Sequence, residues 1–263
     1  MFKVTKYPRG TFSWADCTST DTAKAKAFYS AVLGWEAEDM PLGGGLYYTM
    51  FQKDGLNVAG LGPMMPDMQA QGIPSHWNSY VNVDDIHALA GKARELGGTV
   101  MLEPMEVFDS GWMMILQDPT GAVLGVWQPK NHIGASLVNT PGAMTWNELM
   151  TPDVSAARDF FGSLFDWTFQ KADGSDYYII FNKDRMNGGI MQLNGELGNV
   201  PPNWTVYFSV ADIEDTLKKV SEAGGQVLRP IQDTSVGRFA VIADPQGAVC
   251  SLIQNRQPQP WTE

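Results

Sequence analysis

The chain has 263 residues, 44% hydrophobic and 18% charged, the balance of a folded globular protein with length for about two domains. Eighteen Lys+Arg against 29 Asp+Glu give a formal net charge of −11, which argues against nucleic acid or anionic lipid as a partner. The start MFKVTKYPRG has no apolar leader core, and no uninterrupted apolar run approaches the ~20 residues of a membrane span, so no membrane association is expected.

Phe12–Cys17 alternates as a strand does, and Asp21 is placed to cap a helix whose apolar face is Ala25, Phe28, Tyr29, Val32 and Leu33, with Gly34 as its stop. The Gly43-Gly44-Gly45 turn leads into strand Leu46–Gln52, and Lys53-Asp54-Gly55 turns into strand Asn57–Gly62. Pro63–Pro74 reads as a linker. A second unit follows the same order: strand Asn78–Val83, a helix carrying Ile86, Leu89, Ala93 and Leu96, then strands Thr99–Leu102, Trp112–Gln117 and Ala122–Gln128. Lys130–Pro141 has the composition of an interdomain linker. Beyond it the scheme returns, with helices at Asp153–Leu164 and Asp212–Ala223 and strands at Tyr177–Asn182, Asn187–Gln192, Thr205–Val210, Arg238–Ile242 and Ala248–Gln254.

The return is a true repeat. Gly10–Trp35 and Gly142–Trp167 align at a constant shift of 132 residues, carrying Trp14 onto Trp146, Asp21 onto Asp153 and Trp35 onto Trp167. So long a period means duplicated domains, since solenoid repeats run to roughly 20–50 residues. The expected division is residues 1–130 for the first domain, 131–141 for the linker and 142–263 for the second. Cys17 and Cys250, at opposite ends of the chain, read as buried free thiols and point to a reducing cytoplasm.

Four consecutive βαβββ units, marked by D-x6-FY-x3-LGW at Asp21–Trp35, YVNVDDI at Tyr80–Ile86 and DPTGAVLGVWQ at Asp118–Gln128, each with a second copy, resemble the vicinal-oxygen-chelate superfamily. Glyoxalase I, bleomycin-resistance proteins and extradiol dioxygenases belong to it. The paired tryptophan openings and GRFAVIADPQGA at Gly237–Ala248 look, more narrowly, like actinobacterial tandem glyoxalase-like proteins, a mycobacterial antigen among them. The resemblance implies an α+β fold in which four βαβββ units form two glyoxalase-like domains, with curved mixed sheets around cups. It also implies a divalent metal held by His, Gln or Glu on the first and last strands of the units. Motif spacing puts those positions here at Trp14, Asn78, Trp146 and Thr205 on first strands, and at Ala59, Gly125, Gly189 and Ser251 on last strands. None is a histidine or a carboxylate. His76 lies on a strand face but is expected to have no ligand role; His87 falls on a helix and His132 in the linker. No metal and no other cofactor is expected, because a divalent ion needs three or four nitrogen or oxygen donors.

Side chains at i and i+2 of a strand share a face. Trp14 therefore accompanies Asp16, and Trp146 accompanies Glu148. Asn78 and Tyr80 complete the first cup with Trp127, and Thr205 and Tyr207 complete the second. Tyr47-Tyr48 and Tyr177-Tyr178 each place one tyrosine inward; Tyr48 and Tyr178 are the choices made here. Aromatic walls with a few polar groups are the material of small-molecule sites, and core packing competes with that role for Trp14 and Trp146. The leading expectation is a metal-independent small-molecule-binding protein with a planar or cationic ligand, a monomer with a homodimer as the alternative. Against it stand a metal-independent lyase, isomerase or hydroxylase-like enzyme using Asp16 or Glu148 as general base, and a structural protein whose cups are filled by their own side chains. Which units share a cup does not follow from sequence.

Overall fold

The computed structural model describes residues 2–194 and 200–257. The first domain contains β2 (Phe12–Ser19), α1 (Thr22–Leu33), β3 (Glu36–Gly43), β4 (Leu46–Lys53) and β5 (Leu56–Pro63) as its first unit. Its second unit is β6 (His76–Asn82), α3 (Ile86–Glu95), β7 (Thr99–Val107), β8 (Gly111–Gln117) and β9 (Val123–Pro129). The third is β11 (Met144–Thr151), α4 (Val154–Phe165), β12 (Thr168–Lys171), β13 (Tyr177–Asn182) and β14 (Arg185–Gln192). The fourth is β15 (Asn203–Ser209), α5 (Ile213–Glu222), β16 (Gln226–Asp233), β17 (Gly237–Ala243) and β18 (Val249–Asn255). A short helix, α2 (Pro66–Ala70), stands in the stretch read as a linker, and β1 (Phe2–Lys3) pairs with β10 (Leu137–Val138) in the real one.

Two eight-stranded mixed sheets result, ordered β3-β4-β5-β2-β6-β9-β8-β7 and β12-β13-β14-β11-β15-β18-β17-β16. Unit one therefore shares its sheet with unit two, and unit three with unit four. This is the α+β architecture of two glyoxalase-like domains. Each unit helix starts at an aspartate, Asp21, Asp85, Asp153 or Asp212, whose carboxylate accepts the amide three residues on. Gly34 ends α1 in the left-handed conformation, while Asp166 does the same for α4 and pairs with Arg9.

The cores cross this division. One apolar cluster joins unit one to unit four, with Phe28, Tyr29 and Trp35, and Trp77 from β6 beside them, against Phe208, Ile213 and Leu252. The other joins unit two to unit three, with Val81, Ile86 and Leu124 against Phe160, Phe161 and Trp167. Each helix-bearing face is covered by the other domain, so neither domain owns a closed core. The contact is two-fold in its details. Trp35 Nε1 donates to the Gly142 carbonyl and Trp167 Nε1 to the Gly10 carbonyl, both at 2.7 Å. The Phe28 ring lies where a Cβ on Gly225 would be, at 2.6 Å, and Phe160 lies likewise over Gly98 at 2.7 Å. The stretch that repeats in the sequence, Gly10–Trp35 and Gly142–Trp167, is thus the stretch that locks the domains together. Cys17 and Cys250 are free, buried and in the same shared core.

The edge strands β3 and β12 were among those that escaped the sequence reading. Every residue of β3 is exposed and β12 has no buried residue, so neither edge strand shows the alternation that a half-buried strand would.

Candidate functional site

The sheets meet through the faces that carry the helices: Ser79 Oγ donates to Asn147 Oδ1 at 2.7 Å across the interface. Ser79 lies between Asn78 and Tyr80, and Asn147 between Trp146 and Glu148. Alternation then turns those four flanking residues to the outer faces, one cup on each side of the molecule. Asp16 and Glu148 never share a site.

In the first cup the register pairs Trp14 with Tyr80, Asp16 with Asn78 and Asp16 with Gly60. Asp16 is the focus. Its Oδ1 accepts from Asn78 Nδ2 at 3.0 Å, its Oδ2 from Tyr48 Oη at 3.2 Å, and Tyr80 Oη reaches both oxygens at 3.3–3.4 Å. Trp14 Nε1 donates to Tyr48 Oη at 3.0 Å and fixes that ring. Asp16, Tyr48, Asn78 and Thr18 are all partly exposed, so this cluster lies at the solvent side of the sheet. Burial pushes the Asp16 carboxyl above the usual range, against the opposing pull of Asn78, Tyr48 and Tyr80. Burial, then the adjacent carboxylate, raises the phenols of Tyr48 and Tyr80, which remain donors at neutral pH.

The second cup repeats this with changes. Tyr207 Oη donates to Glu148 Oε1 at 2.8 Å and Trp146 Nε1 to Tyr177 Oη at 2.9 Å. Burial raises the Glu148 carboxyl, while hydrogen bonds from Tyr207 and Tyr177 oppose the shift. Thr205 stands opposite Glu148 in the register, but its hydroxyl turns to Asn203 Oδ1 at 2.9 Å. The inward tyrosine is Tyr177, which corrects the choice of Tyr178. Tyr178 faces the core side, with the Arg158 guanidinium 4.4 Å from its ring centroid. The cause is the repeat shift, 132 residues at Trp14/Trp146 but 129 here. Met50 pairs with Gly60 as Ile179 pairs with Gly189, and the same bulge follows Phe51 and Ile180, so Tyr177 and not Tyr178 is the counterpart of Tyr48.

A second correction concerns the metal-ligand positions. Asp16 pairs with Gly60 as Glu148 pairs with Gly189, Tyr80 with Gly125 and Tyr207 with Ser251. The last-strand position of unit one is therefore Gly60, and Ala59 belongs to the core. A Cβ on Gly60 would meet Tyr48 Oη at 1.9 Å, and one on Gly189 would meet Tyr177 Oη at 1.8 Å. Tyrosines occupy the space into which ligand side chains would project. Each cup then offers one carboxyl group, with indoles and phenols around it, and among the described residues no three His, Cys, Asp or Glu side chains converge. This donor set does not fit a divalent metal.

His132 was not singled out by sequence reasoning. It reaches the inner end of the first cup from the linker, its ring edge-on to Trp14 at 4.6 Å and 5.7 Å from Trp127. Trp127 Nε1 donates to the His132 carbonyl at 2.8 Å. Burial lowers the imidazole pKa to about 4, so it is neutral at physiological pH. The position carried no signal, because a linker residue has no periodicity to place it. His76 stands at the opposite end of the strand, its Nδ1 2.8 Å from the Pro74 carbonyl.

The comparisons agree with this architecture. The family model described as "Glyoxalase/Bleomycin resistance protein/Dioxygenase superfamily" matches twice, at residues 11–126 and 143–251. The chain is 40% identical over 259 residues, 97% of its length and 98% of the relative's, to "Putative glyoxylase CFP32" of Mycobacterium tuberculosis. It is 32% identical, with 98% of each chain covered, to "Anthracycline biosynthesis protein DnrV" of Streptomyces peucetius. The Mn(II)-bound glyoxalase from Novosphingobium aromaticivorans superposes with a TM-score of 0.67 over 96% of this chain and 84% of that one, at 16% identity, a likeness of fold.

Proposed function

Because the chain belongs to the glyoxalase/bleomycin resistance protein/dioxygenase superfamily yet floors its cups with tyrosine-bound carboxyl groups, we propose that it binds a planar organic molecule there without a metal. The observation that carries this reading is the Asp16 cluster. A partly exposed aspartate whose carboxyl is held by two phenols and an amide, with Trp14 tied into the same network, is a built polar floor under aromatic walls. No Lys or Arg contributes to the Asp16 or Glu148 environment, so a ligand hydroxyl or cationic nitrogen would meet an unneutralised acceptor. The relative named for anthracycline biosynthesis suggests a multi-ring aromatic compound as the ligand class. Asp16, Tyr48 and Asn78 keep partial exposure, which weighs against a first cup wholly filled by its own side chains.

Quenching of tryptophan fluorescence, titrated with neutral and cationic planar compounds, tests the reading. Saturable quenching that Asp16→Asn or Glu148→Gln weakens about ten-fold or more, the scale of one charge-assisted hydrogen bond, is the expected result. No quenching by any planar compound would reject it. A second reading, acid–base turnover of the bound molecule, draws on the raised carboxyl pKa of Asp16 and Glu148. It requires that the bound compound be recovered altered, and that Asp16→Asn or Glu148→Gln stop the change while binding survives.

A further inference from the structure

The two cups share a backbone and differ in their upper walls. Cross-strand partners face the same side, so the registers name the wall residues. In the first cup Met40 stands opposite Tyr48, Met50 opposite Gly60, Met113 opposite Trp127, Met105 opposite Met113, Ile115 opposite Gly125 and Leu102 opposite Ile115. Through the matching registers the second cup presents Ala172, Ile179, Phe239, Gln232, Val241 and Arg229 at those places.

Three of the first cup's wall residues are large, apolar and exposed: Met40 at 48%, Met105 at 44% and Leu102 at 37%. Their counterparts Ala172, Gln232 and Arg229 show that this fold does not need apolar side chains there. An exposed apolar wall above a polar floor, unexplained by packing, marks a binding surface. Methionine supplies a flexible, polarisable lining suited to flat aromatic faces.

Resting on the reading of the cups as binding sites, we infer that the first cup alone takes a neutral, planar multi-ring molecule. One hydroxyl of that molecule meets Asp16, and its rings lie along Met40, Met50, Leu102, Met105 and Met113. The second cup, with Arg229 and Gln232 on its wall, rejects the same molecule because binding would bury those polar groups without partners.

The test is calorimetric and fluorescence titration of the full chain with 1,8-dihydroxyanthraquinone. The expected stoichiometry is one per chain. Leu102→Arg with Met105→Gln gives the first cup the wall of the second, a wall this backbone already carries, and should weaken binding about ten-fold or more. Arg229→Leu with Gln232→Met should add a second, weaker site. Binding that survives Leu102→Arg/Met105→Gln but is lost in Glu148→Gln would overturn the inference and leave the general binding reading intact. Two equal sites in the unaltered chain would do the same. Absence of any binding would overturn both.

Discussion

Replacing Phe161 with tyrosine should stabilise this protein, although the site is a fully buried core position. The argument comes from the imperfect symmetry of the two shared cores. In the core of units one and four, Tyr29 Oη accepts from Trp77 Nε1 at 2.8 Å and donates to Asp244 Oδ2 at 3.1 Å. The equivalent positions in the other shared core are Phe161, Trp204 and Asp118. The rings match: Phe161 and Trp204 sit edge-on at 5.4 Å, against 5.1 Å for Tyr29 and Trp77. Phe161 has no hydroxyl, and Trp204 Nε1 and Asp118 Oδ2 are both buried with no hydrogen-bond partner among the described residues. One missing oxygen accounts for two orphaned atoms.

Restoring it forms two hydrogen bonds at a net ~1 kcal/mol each, and it removes desolvation costs of ~1–3 kcal/mol per orphan. Crowding from the added oxygen would cost about 1–3 kcal/mol if the site cannot give. A net gain of about 2 kcal/mol corresponds to a Tm rise of roughly 4–8 °C for a chain of this size. Tyr29→Phe is the reciprocal loss and should cost about 2–4 kcal/mol, since it orphans Trp77 Nε1 and Asp244 Oδ2 together. Urea and thermal unfolding followed by near-UV circular dichroism measure both. A lowered Tm for Phe161→Tyr beside a neutral Tyr29→Phe would refute the reasoning.

Further expectations follow from the cups and the shared cores. Glu148 is held protonated more readily when folded than unfolded, so its contribution favours folding below the unfolded pKa and is lost as pH rises through the raised folded pKa. Glu148→Gln should therefore unfold at a higher temperature than the unaltered protein at pH 8, and at the same temperature near pH 3. His132 runs the other way: its folded pKa of about 4 lies below the unfolded value, so stability falls as pH drops from about 6.5 toward 4. His132→Phe should flatten that part of the Tm–pH curve. Gly60→Ala should displace Tyr48 and weaken ligand quenching, at about 1–3 kcal/mol of stability by urea unfolding. Residues 1–141 expressed alone should lack a dispersed amide spectrum, because Phe28, Tyr29 and Trp35 would lose Phe208, Ile213 and Leu252; a well-dispersed spectrum would contradict the shared core.

Much of the fold was legible because its signals are local. An aspartate before each helix, a glycine after Leu33 and the D-P-x-G turns name their own structures, and the 132-residue shift announces the duplication. Edge strands such as β3 were not legible, since alternation reports burial and they have none. The floor of each cup could be read from i, i+2 alternation along β2 and β11, where the bulge precedes the tryptophan and none separates it from the carboxyl residue. Tyr178 was misassigned because the repeat shift falls from 132 at Trp14/Trp146 to 129 at Met50/Ile179, so matching the two tyrosine pairs position by position slips one residue, and one residue turns a side chain to the other face. The crossing of sheets and cores, with units one and two in one sheet but units one and four in one core, depends on long-range packing that no local pattern encodes. His132 entered the first cup by the same route.

The most direct test of the account is a binding titration of one preparation before and after exhaustive chelation, with the metal content measured in each. The account predicts saturable quenching by a planar ligand with the same Kd in both samples, weakened by Asp16→Asn. Binding that vanishes on chelation and returns with added Mn(II) or Fe(II) would contradict it, and would mean that these cups hold a metal despite tyrosine and glycine at the ligand positions.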